Sequence, residues 1–372
     1  MNDSESVWGA VDAAISAGEL KATSERRYVQ LEQASGLKIL PIRWLWPGWL
    51  ARGKLQILAG SPGTCKTTIA MSLAATVSSA GCFPCGSQAT LGNVLVWTGE
   101  DDPADTLAPR LVASGADLAN VFFIRGTVDG GEQRSFDPGR DIGLLVEEAK
   151  RIGNVQLLIV DPVVSAIMGD GHKANDVRRG LQPLVDLALI IDCAVLGITH
   201  FSKGSSGRDP LERVMGSQAF GALARVVLVA AKESSSVEGA PQRRFVARAK
   251  SNIGPDGDGF DCQLLETTLE LHQGVVATYI AWRGAIQGSA RELLEAVEMD
   301  EATGADSTER NDAKLFLRGI LADGPLSVRI IKADSTGAGY AWRTIERAKK
   351  DAGVEARKLG LKDGWVWALP PE

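Results

Sequence analysis

The sequence predicts an α/β fold: a large, mainly parallel sheet covered by helices, followed by a small C-terminal domain. Two observations carry this prediction. Between Leu55 and Ala231, near-continuous apolar strands alternate with helical patterns, which is typical of a parallel sheet buried on both faces. Beyond residue 310, amphipathic helical patterns precede two short strands, which is the element order of a winged helix-turn-helix domain.

Composition and charge exclude several classes of protein. The chain has 372 residues, 45% of them hydrophobic, which is enough for one large domain and a small one. It has no apolar run of about 18 residues and no basic N-terminal region followed by an apolar core, so we expect neither a membrane span nor a secretory signal. We therefore predict a cytoplasmic location. The net charge of −6 gives no global attraction to nucleic acid, so that any DNA contact must come from local basic patches.

The main sheet is predicted from its apolar runs. These are Leu55–Ala59, Asn93–Thr98, Val121–Arg125, Gln156–Asp161, Cys193–Thr199 and Arg225–Ala231, with helical patterns at 104–115, 140–152 and 174–190 between them. Three later strands, Arg243–Lys250, Phe260–Glu266 and Val275–Trp282, have no helices between them. We expect these three strands to extend the sheet in antiparallel fashion.

Shifts in composition divide the chain into four segments. Residues 1–40 are interpreted as a peripheral N-terminal arm, and residues 41–285 as the sheet-containing domain. The aromatic stretch from Pro41 to Leu50 is expected to pack on the core, although a nucleotide base or a neighbouring subunit could also cover it. Residues 286–310 are acidic and predict a linker with some helix.

Residues 311–372 form the fourth segment, the predicted winged helix-turn-helix domain. Its helices are expected at Ala313–Ala322, Ser327–Asp334 and Tyr340–Asp351, and its hairpin at Val354–Lys358 and Trp365–Leu369. Three tryptophans are expected to form its core: Trp342, Trp365 and Trp367.

A phosphate-binding loop joins the first strand of the main sheet to a helical pattern. Its residues are Gly60, Ser61, Pro62, Gly63, Thr64, Cys65, Lys66, Thr67 and Thr68. Backbone N–H groups of such a loop and the positive end of the following helix point at phosphate oxygens. Lys66 would reach the β- and γ-phosphates and the Thr67 hydroxyl would bind Mg²⁺, so we predict an ATP site.

Cys65 departs from the pattern of this loop, because the motif has a glycine at that position. A Cβ there crowds the approach of the backbone to phosphate, and a positive φ would cost roughly 1–2 kcal/mol. We expect weakened nucleotide affinity. The alternative is a loop that merely joins strand to helix.

Two acidic residues follow strands that are expected to end at the same edge of the sheet. Asp161 ends an apolar run and is predicted to associate with Mg²⁺. Because Pro162 and Val163 follow it, the base that positions the attacking water must come from another strand, and Glu100 is the candidate. The alternative for Glu100 is an acid that stabilises the N-terminus of the next helix.

His200 ends the strand that begins near Cys193, again at the expected carboxyl edge. A histidine in this position could sense the γ-phosphate and relay its presence to the loop that follows. The alternative is a structural histidine.

These residues together resemble the RepA-type branch of the RecA-like hexameric ATPases, which are plasmid and phage replicative helicases and their AAA-annotated relatives. The resemblance rests on the phosphate-binding loop, Glu100-Asp101, Asp161 and the run Thr199–Gly204, and covers roughly residues 40–285. It implies a RecA-like core, a catalytic role for Glu100, a phosphate-sensing role for His200 and a homo-oligomer, most simply a hexamer.

The same resemblance implies three further basic residues of the nucleotide site. Arg225, after Gly216-Ser217, resembles an arginine finger given to a neighbouring subunit, and Lys250 a late basic residue near the neighbour's nucleotide. Arg110 matches an arginine in the helix after the glutamate. The alternative for Arg225 is a structural ion pair, and for Lys250 and Arg248 a surface charge is equally open.

DNA contacts are predicted in two places. The loops 165–180 and 202–215 follow sheet strands, and in a RecA-like ring they would line the channel, with Lys203, Arg208 and Arg213 on single-stranded DNA. Three residues share one face of the last predicted helix, as in a helix presented to duplex DNA: Arg343, Arg347 and Lys350. Solvated loops and a solvated face on an oligomerisation module are the alternatives.

The sequence therefore predicts an ATP-hydrolysing, ring-forming, DNA-associated ATPase, with a replicative helicase of a plasmid, phage or prophage as the leading hypothesis. A rival hypothesis is a nucleotide-dependent regulator or loader that binds DNA without translocating. A third is an ATPase that is weakened at Cys65.

Overall fold

A computed structural model describes residues 31–167, 173–202, 205–214, 218–233, 242–322, 324–358 and 365–369, without the side chains of 129, 218–219 and 299–311. The chain divides into two units between Pro41 and Ile42. In the first unit, the described residues contain one 3₁₀ turn, Ala34–Gly36. Residues 1–30 of the predicted N-terminal arm lie outside the described residues.

The strands of the second unit follow the predicted order closely. In chain order they are β1 (Trp44–Trp46), β2 (Leu50–Ala51), β3 (Lys54–Gly60), β4 (Asn93–Thr98), β5 (Val121–Phe123), β6 (Gly126–Asp129), β7 (Glu132–Ser135), β8 (Val155–Asp161), β9 (Ala194–His200), β10 (Val226–Lys232), β11 (Arg244–Ser251), β12 (Gly259–Thr268), β13 (Val276–Ile286), β14 (Leu326–Ser327), β15 (Glu355–Lys358) and β16 (Trp365–Ala368).

The α-helices, in chain order, are α1 (Lys66–Ser78), α2 (Ala108–Ala113), α3 (Ile142–Ile152), α4 (Ala174–Ile191), α5 (Pro210–Arg213), α6 (Gln218–Leu223), α7 (Ala290–Ile320), α8 (Val328–Gly337) and α9 (Trp342–Asp351). Short turns of other helical types occupy Pro103–Leu107, Leu118–Asn120 and Val163–Ala166. None of the helices within the described residues combines the length and apolarity that a membrane span needs.

One nine-stranded sheet organises the large domain, in the order β13-β12-β11-β10-β3-β9-β8-β4-β5. The six strands from β10 to β5 are parallel, whereas β11, β12 and β13 are antiparallel to their neighbours. The parallel core and its antiparallel extension are therefore as predicted. Helices α1 and α2 cover one face of the sheet, and α3, α4 and the start of α7 cover the other.

The aromatic segment before β3 packs on the core, which was the default expectation. Trp46 is fully buried, and it stacks on Trp49 with ring centroids 4.8 Å apart and on Phe83 at 5.5 Å. Phe260 and Trp282, from the antiparallel strands, complete this aromatic cluster. The indole of Trp282 donates a hydrogen bond to Ser72 Oγ on α1, 3.1 Å away, and so ties the cluster to the helix that follows the phosphate-binding loop.

Residues 286–310 differ from the predicted acidic linker, because most of them belong to α7, one helix of 31 residues. A capping box starts it: the Ser289 side chain accepts from Glu292 N, and the Glu292 side chain accepts from Ser289 N. Gly304 lies inside the helix, where a glycine costs only about 1 kcal/mol relative to alanine. The many glutamates that suggested a linker are good helix formers.

The end of α7, together with α8 and α9, packs on the three-stranded antiparallel sheet β14-β16-β15. Ile331, Ile345 and Trp367 are buried in this C-terminal cluster, and Trp342 stacks on Trp367 at 5.4 Å. Trp365 is 57% exposed, so its predicted place in the core is wrong. It begins β16, whereas Trp367, two residues further along the same strand, is buried.

Candidate functional site

The phosphate-binding loop leaves β3 at Gly60 and enters α1 at Lys66. A Cβ at Gly60 would lie 2.4 Å from the carbonyl oxygen of Ala230 on the adjacent strand, so only glycine fits there. Gly63 has φ +76°, the left-handed conformation that glycine adopts without strain. The Thr64 hydroxyl donates to Ser61 O at 2.9 Å, which closes the turn. Ser61, Pro62 and Gly63 remain exposed at the rim, and Thr68 is buried in the first turn of α1.

Cys65 adopts the left-handed conformation that its position in the motif implies, with φ 63° and ψ 29°. It is the residue that precedes α1, and its side chain makes no capping hydrogen bond to the helix. A non-glycine residue in this region carries a cost of roughly 1–2 kcal/mol. The loop thus keeps its glycine-type backbone although the residue is cysteine.

Lys66 lies at the centre of the site. Its Nζ donates to the carbonyl oxygens of Gly60 at 3.1 Å and Ser61 at 2.9 Å, and lies 3.2 Å from Nδ1 of His200. Burial lowers the pKa of Lys66, and the Asp161 carboxylate opposes that shift. The ammonium group is therefore held inside the loop, in reach of any phosphate bound there.

Thr67 and Asp161 form the predicted metal pair. The Thr67 hydroxyl donates to Asp161 Oδ2 at 2.6 Å. Burial raises the pKa of Asp161 to about 6, and the nearby acids Glu100 and Asp101 add to that shift. A hydroxyl and a carboxylate are hard oxygen donors of the kind that Mg²⁺ prefers, and the surrounding negative charge favours a cation. The residues present therefore fit a Mg²⁺ that is shared with phosphates.

Glu100 follows β4 at the same sheet edge. β4 pairs with β8 so that Thr98 lies opposite Asp161, and Gly99 N donates to Asp161 O at 2.8 Å. Glu100 itself is exposed, and its charge acts on Lys66, Asp161 and His200. The structure thus brings Glu100 to the site, where its carboxylate is accessible to water. Asp102, not Glu100, caps the helical turn that follows, since its side chain accepts from Ala104 N and Asp105 N.

His200 ends β9, opposite Gly60 of β3 in the parallel register. Burial lowers the pKa of His200, and the positive charge of Lys66 lowers it further. Both effects favour the neutral ring, whose Nδ1 lies 3.2 Å from Lys66 Nζ. The next residue, Phe201, donates its N–H to Gly60 O at 3.2 Å, so the end of β9 is bonded directly to the phosphate-binding loop.

The structure does not bring every predicted residue to this site. Arg110 forms an ion pair with Asp101, 3.1 Å away, beside Glu100. Arg225 is exposed, and its N–H donates to Leu55 O, which puts it at the amino edge of the sheet, opposite the phosphate-binding loop. Lys250 lies near Arg225, and its Nζ donates to the carbonyl of Gly221. Neither Arg225 nor Lys250 can reach the nucleotide site of its own subunit.

Two other arginines have structural contacts. Arg248 is buried, lies over the Trp49 ring at 4.7 Å and donates to Gly48 O and Gly257 O, so a surface charge or finger role for it is wrong. Arg213 is also buried and pairs with Glu298 at 2.5 Å, which contradicts its predicted DNA contact. Sequence reasoning missed Glu298 because nothing local connects it to residues 202–215.

The predicted DNA residues are found on two parts of the chain. Arg208 is exposed in the loop after β9, whereas Lys203, Gly216-Ser217 and residues 168–172 lie outside the described residues. On α9, Arg343, Arg347 and Lys350 are all exposed, on the side opposite the buried Ile345 and Ala348.

Comparison with known families supports the nucleotide site. A family model described as an AAA domain, AAA_25, matches residues 20–206, about half of the chain, and includes every residue from Gly60 to His200. The comparison with curated proteins gives no match. An AAA domain of this type indicates nucleotide binding and an ATPase in general. With its phosphate-binding loop and the acids at the same sheet edge, the chain belongs to the AAA_25 family of AAA domains.

Proposed function

We propose that this protein is an ATP-hydrolysing, ring-forming, DNA-associated motor, with a replicative helicase as the leading form. One observation carries the proposal. Lys66, the Thr67–Asp161 pair, Glu100 and His200 meet at the carboxyl edge of adjacent parallel strands, where open α/β sheets bind ligands.

Each of these residues has a distinct task in hydrolysis. Lys66 neutralises charge on the β- and γ-phosphates, and Thr67 with Asp161 would hold Mg²⁺. When bound, that ion would supply further positive charge beside the phosphates. Glu100 orients the attacking water and accepts its proton, which its exposure at the edge of the site permits. His200, bonded to Lys66, responds to whether the γ-phosphate is present.

Assembly into a ring is supported by the placement of Arg225 and Lys250. They lie near each other at the amino edge of the sheet, away from the phosphate-binding loop of their own chain. A finger at this edge can serve only the site of a neighbouring subunit. Because an arginine finger is worth several orders of magnitude in phosphoryl transfer, hydrolysis should depend on assembly.

DNA association is supported by the C-terminal cluster. Its helices and its three-stranded sheet have the element order of a winged helix-turn-helix domain, and α9 carries exposed cations along one face. Arg208, in the exposed loop after β9, would contact DNA inside the ring. A plasmid, phage or prophage origin belongs to the same hypothesis.

The test of this function is ATP turnover in a Glu100→Gln variant, measured with and without single-stranded DNA. We expect the wild-type rate per subunit to rise with protein concentration and with DNA. The variant should lose at least about 100-fold in turnover, since a positioned base contributes that much. It should still bind ATP, because Lys66, Thr67 and Asp161 are unchanged.

Asp105→Asn is the matched control, because Asp105 is an exposed acid on the helical turn just after Glu100 and its carboxylate accepts a hydrogen bond from the neighbouring Thr106 hydroxyl. Its turnover should equal that of the wild type. Turnover that survives in Glu100→Gln would show that another group is the base.

A second candidate, a DNA-binding regulator or loader with weak ATPase activity, is favoured by one observation, the left-handed Cys65. A strained side chain beside the phosphates slows turnover without preventing binding. ATP-driven strand separation would favour the motor, whereas duplex binding without unwinding would favour the regulator.

A further inference from the structure

A buried ion pair joins the segment after β9 to α7. Arg213 Nη2 lies 2.5 Å from Glu298 Oε1, and the Arg213 side chain is only 5% exposed. Glu298 also accepts a hydrogen bond from Gly207 N at 2.9 Å. One carboxylate on α7 therefore holds two points of the segment that follows His200.

Arg213 also contacts the two residues that follow His200 at the nucleotide site. Its guanidinium carbon lies 4.4 Å from the centre of the Phe201 ring, and its carbonyl oxygen accepts from Ser202 N at 2.7 Å. Phe201 is the residue after His200 and donates to Gly60 O. Between Lys66 and Glu298 there is thus an unbroken series of contacts: His200, Phe201 and Arg213.

The contact between this segment and α7 is incompletely packed and incompletely bonded. A cavity of about 160 Å³ lies between the phosphate-binding loop and α7, lined by Ser61, Pro62, Phe201, Arg213, Leu294 and Glu298 among others. Arg213 Nε is buried without a hydrogen-bond acceptor among the described residues. Arginine has a rigid fork with several donors, so a buried guanidinium that leaves Nε unbonded beside a cavity has room for a second arrangement.

Helix α7 reaches both hydrophobic cores. Ala290, Leu294 and Val297 are buried in the core of the large domain, whereas Ala313 and Leu317 are buried in the C-terminal cluster. A displacement of the helix at Glu298 is therefore carried along one continuous element to the cluster that holds α9.

We propose that Arg213 and Glu298 are positioning residues that transmit the nucleotide state of the phosphate-binding loop to α7 and thereby to the C-terminal cluster. The inference rests on the proposed nucleotide binding at Lys66, but it needs neither hydrolysis nor DNA. The proposed series of contacts begins at the His200–Lys66 contact and ends at the α7 backbone. Phe201 and His200 lie between Arg213 and Lys66 in this series of contacts.

The test is amide hydrogen exchange on the full-length protein, with and without a non-hydrolysable ATP analogue and Mg²⁺. In the wild type we expect exchange of α7 amides beyond Glu298 to change by about fivefold or more on nucleotide binding, the lower end of usual allosteric coupling. In Glu298→Gln that change should disappear while the analogue binds within about twofold of the wild-type affinity, because Glu298 does not contact the phosphates.

Glu295→Gln is the matched control, since Glu295 lies one turn earlier on α7 and pairs with Arg291 at the surface. It should keep the wild-type response. If Glu298→Gln does not fold, the double variant Arg213→Met/Glu298→Gln removes both charges, which is often tolerated where one buried charge alone is not. The double variant should lose the α7 response in the same way.

The outcomes separate the coupling from the proposed function. A wild type that binds the analogue without any change in α7, or a Glu298→Gln variant that retains the change, overturns the coupling alone. A wild type that binds no nucleotide in a direct titration overturns both proposals.

Discussion

The backbone at Cys65 holds a strained conformation beside the lysine that defines the nucleotide site. With φ 63°, Cys65 bears the cost of the left-handed region, and its Sγ lies 3.8 Å from Gly63 O. The surrounding contacts of Gly60, Thr64 and Lys66 maintain the loop in spite of that cost. The loop geometry therefore does not depend on a glycine at this position.

Replacing Cys65 with glycine should affect stability and binding separately. We expect Cys65→Gly to raise the free energy of unfolding by about 0.5–1 kcal/mol, because relief of the left-handed conformation outweighs the entropy that glycine loses on folding. We also expect tighter ATP binding and faster turnover, because the Cβ and thiol leave the phosphate side of the loop. Chemical denaturation and nucleotide titration measure the two effects.

Ala80→Gly provides the comparison, since Ala80 has φ 52° just after α1 and lies away from the phosphates. It should raise stability by a similar amount and leave ATP binding unchanged. Equal affinity in Cys65→Gly and the wild type would mean that the thiol does not obstruct the nucleotide.

Local sequence predicts a site residue well when that residue ends a parallel strand, because the strand then determines where the residue lies. Asp161, Glu100 and His200 were identified because parallel strands bring their carboxyl ends to one edge. Arg213 and Glu298 were not, because their contact joins residues far apart in sequence and the pairing depends on how α7 packs on the sheet. Charge alone suggested a DNA contact for Arg213, and burial reversed that interpretation.

At the scale of elements, the strands were more predictable than the connections between them. β4 begins and ends where its apolar run does, since burial on both faces selects such residues. The hairpin of β6 and β7 was not predicted, because a side-chain contact outside the hairpin anchors it: Arg134 donates to both carboxylate oxygens of Asp141, just before α3. α7 was misjudged since acidic composition fits an exposed helix as well as a linker.

The exposed cations on one face of α9 allow the hypothesis of duplex DNA binding to be tested. Replacing Arg343 and Lys350 by glutamine should weaken duplex binding and reduce the slope of log K against log salt concentration by about 2, because each cation that neutralises a phosphate releases about one counterion. Thermal stability should be unchanged, because both side chains are exposed. Fluorescence anisotropy across a salt series measures the slope.

The control is a pair of substitutions that removes two positive charges from another part of the surface. Arg140 and Lys150 are exposed on and before α3, so Arg140→Gln/Lys150→Gln should leave the slope near the wild-type value. Equal slopes for all three proteins would rule out α9 as the duplex contact and favour a solvated face.

At the scale of the whole molecule, the nucleotide site and the basic pair of Arg225 and Lys250 lie at opposite edges of one sheet. If Arg225 acts as the proposed finger, a single chain carries an incomplete site and the missing part of another. Such an arrangement generates a ring or a filament when subunits repeat head to tail.

Mixing two inactive variants tests this arrangement. Glu100→Gln and Arg225→Ala should each abolish turnover alone, for different reasons. Mixed, they should regain part of the wild-type rate, because some interfaces join an intact Glu100 from one chain to an intact Arg225 from the next. The measurement is the ATPase rate against the mixing ratio at fixed total protein.

A chain that carries both substitutions is the control, since mixing it with either single variant produces no intact interface. If the mixture of single variants also stays inactive while light scattering shows assembled rings, Arg225 is a structural residue at a strand start and the finger must be sought elsewhere.

Because α7 is long, a small tilt near the nucleotide site would displace its far end by a larger distance. From Glu298 to the helix end at Ile320, the axis runs about 33 Å, at 1.5 Å per residue. If the large domain acts as the fulcrum, a tilt of about 5° displaces the far end by about 3 Å, close to the 3.4 Å spacing of bases along a DNA strand. Under the proposed coupling, a side-chain rearrangement at Arg213 would therefore move the far end of α7 by a distance of the same order as this spacing.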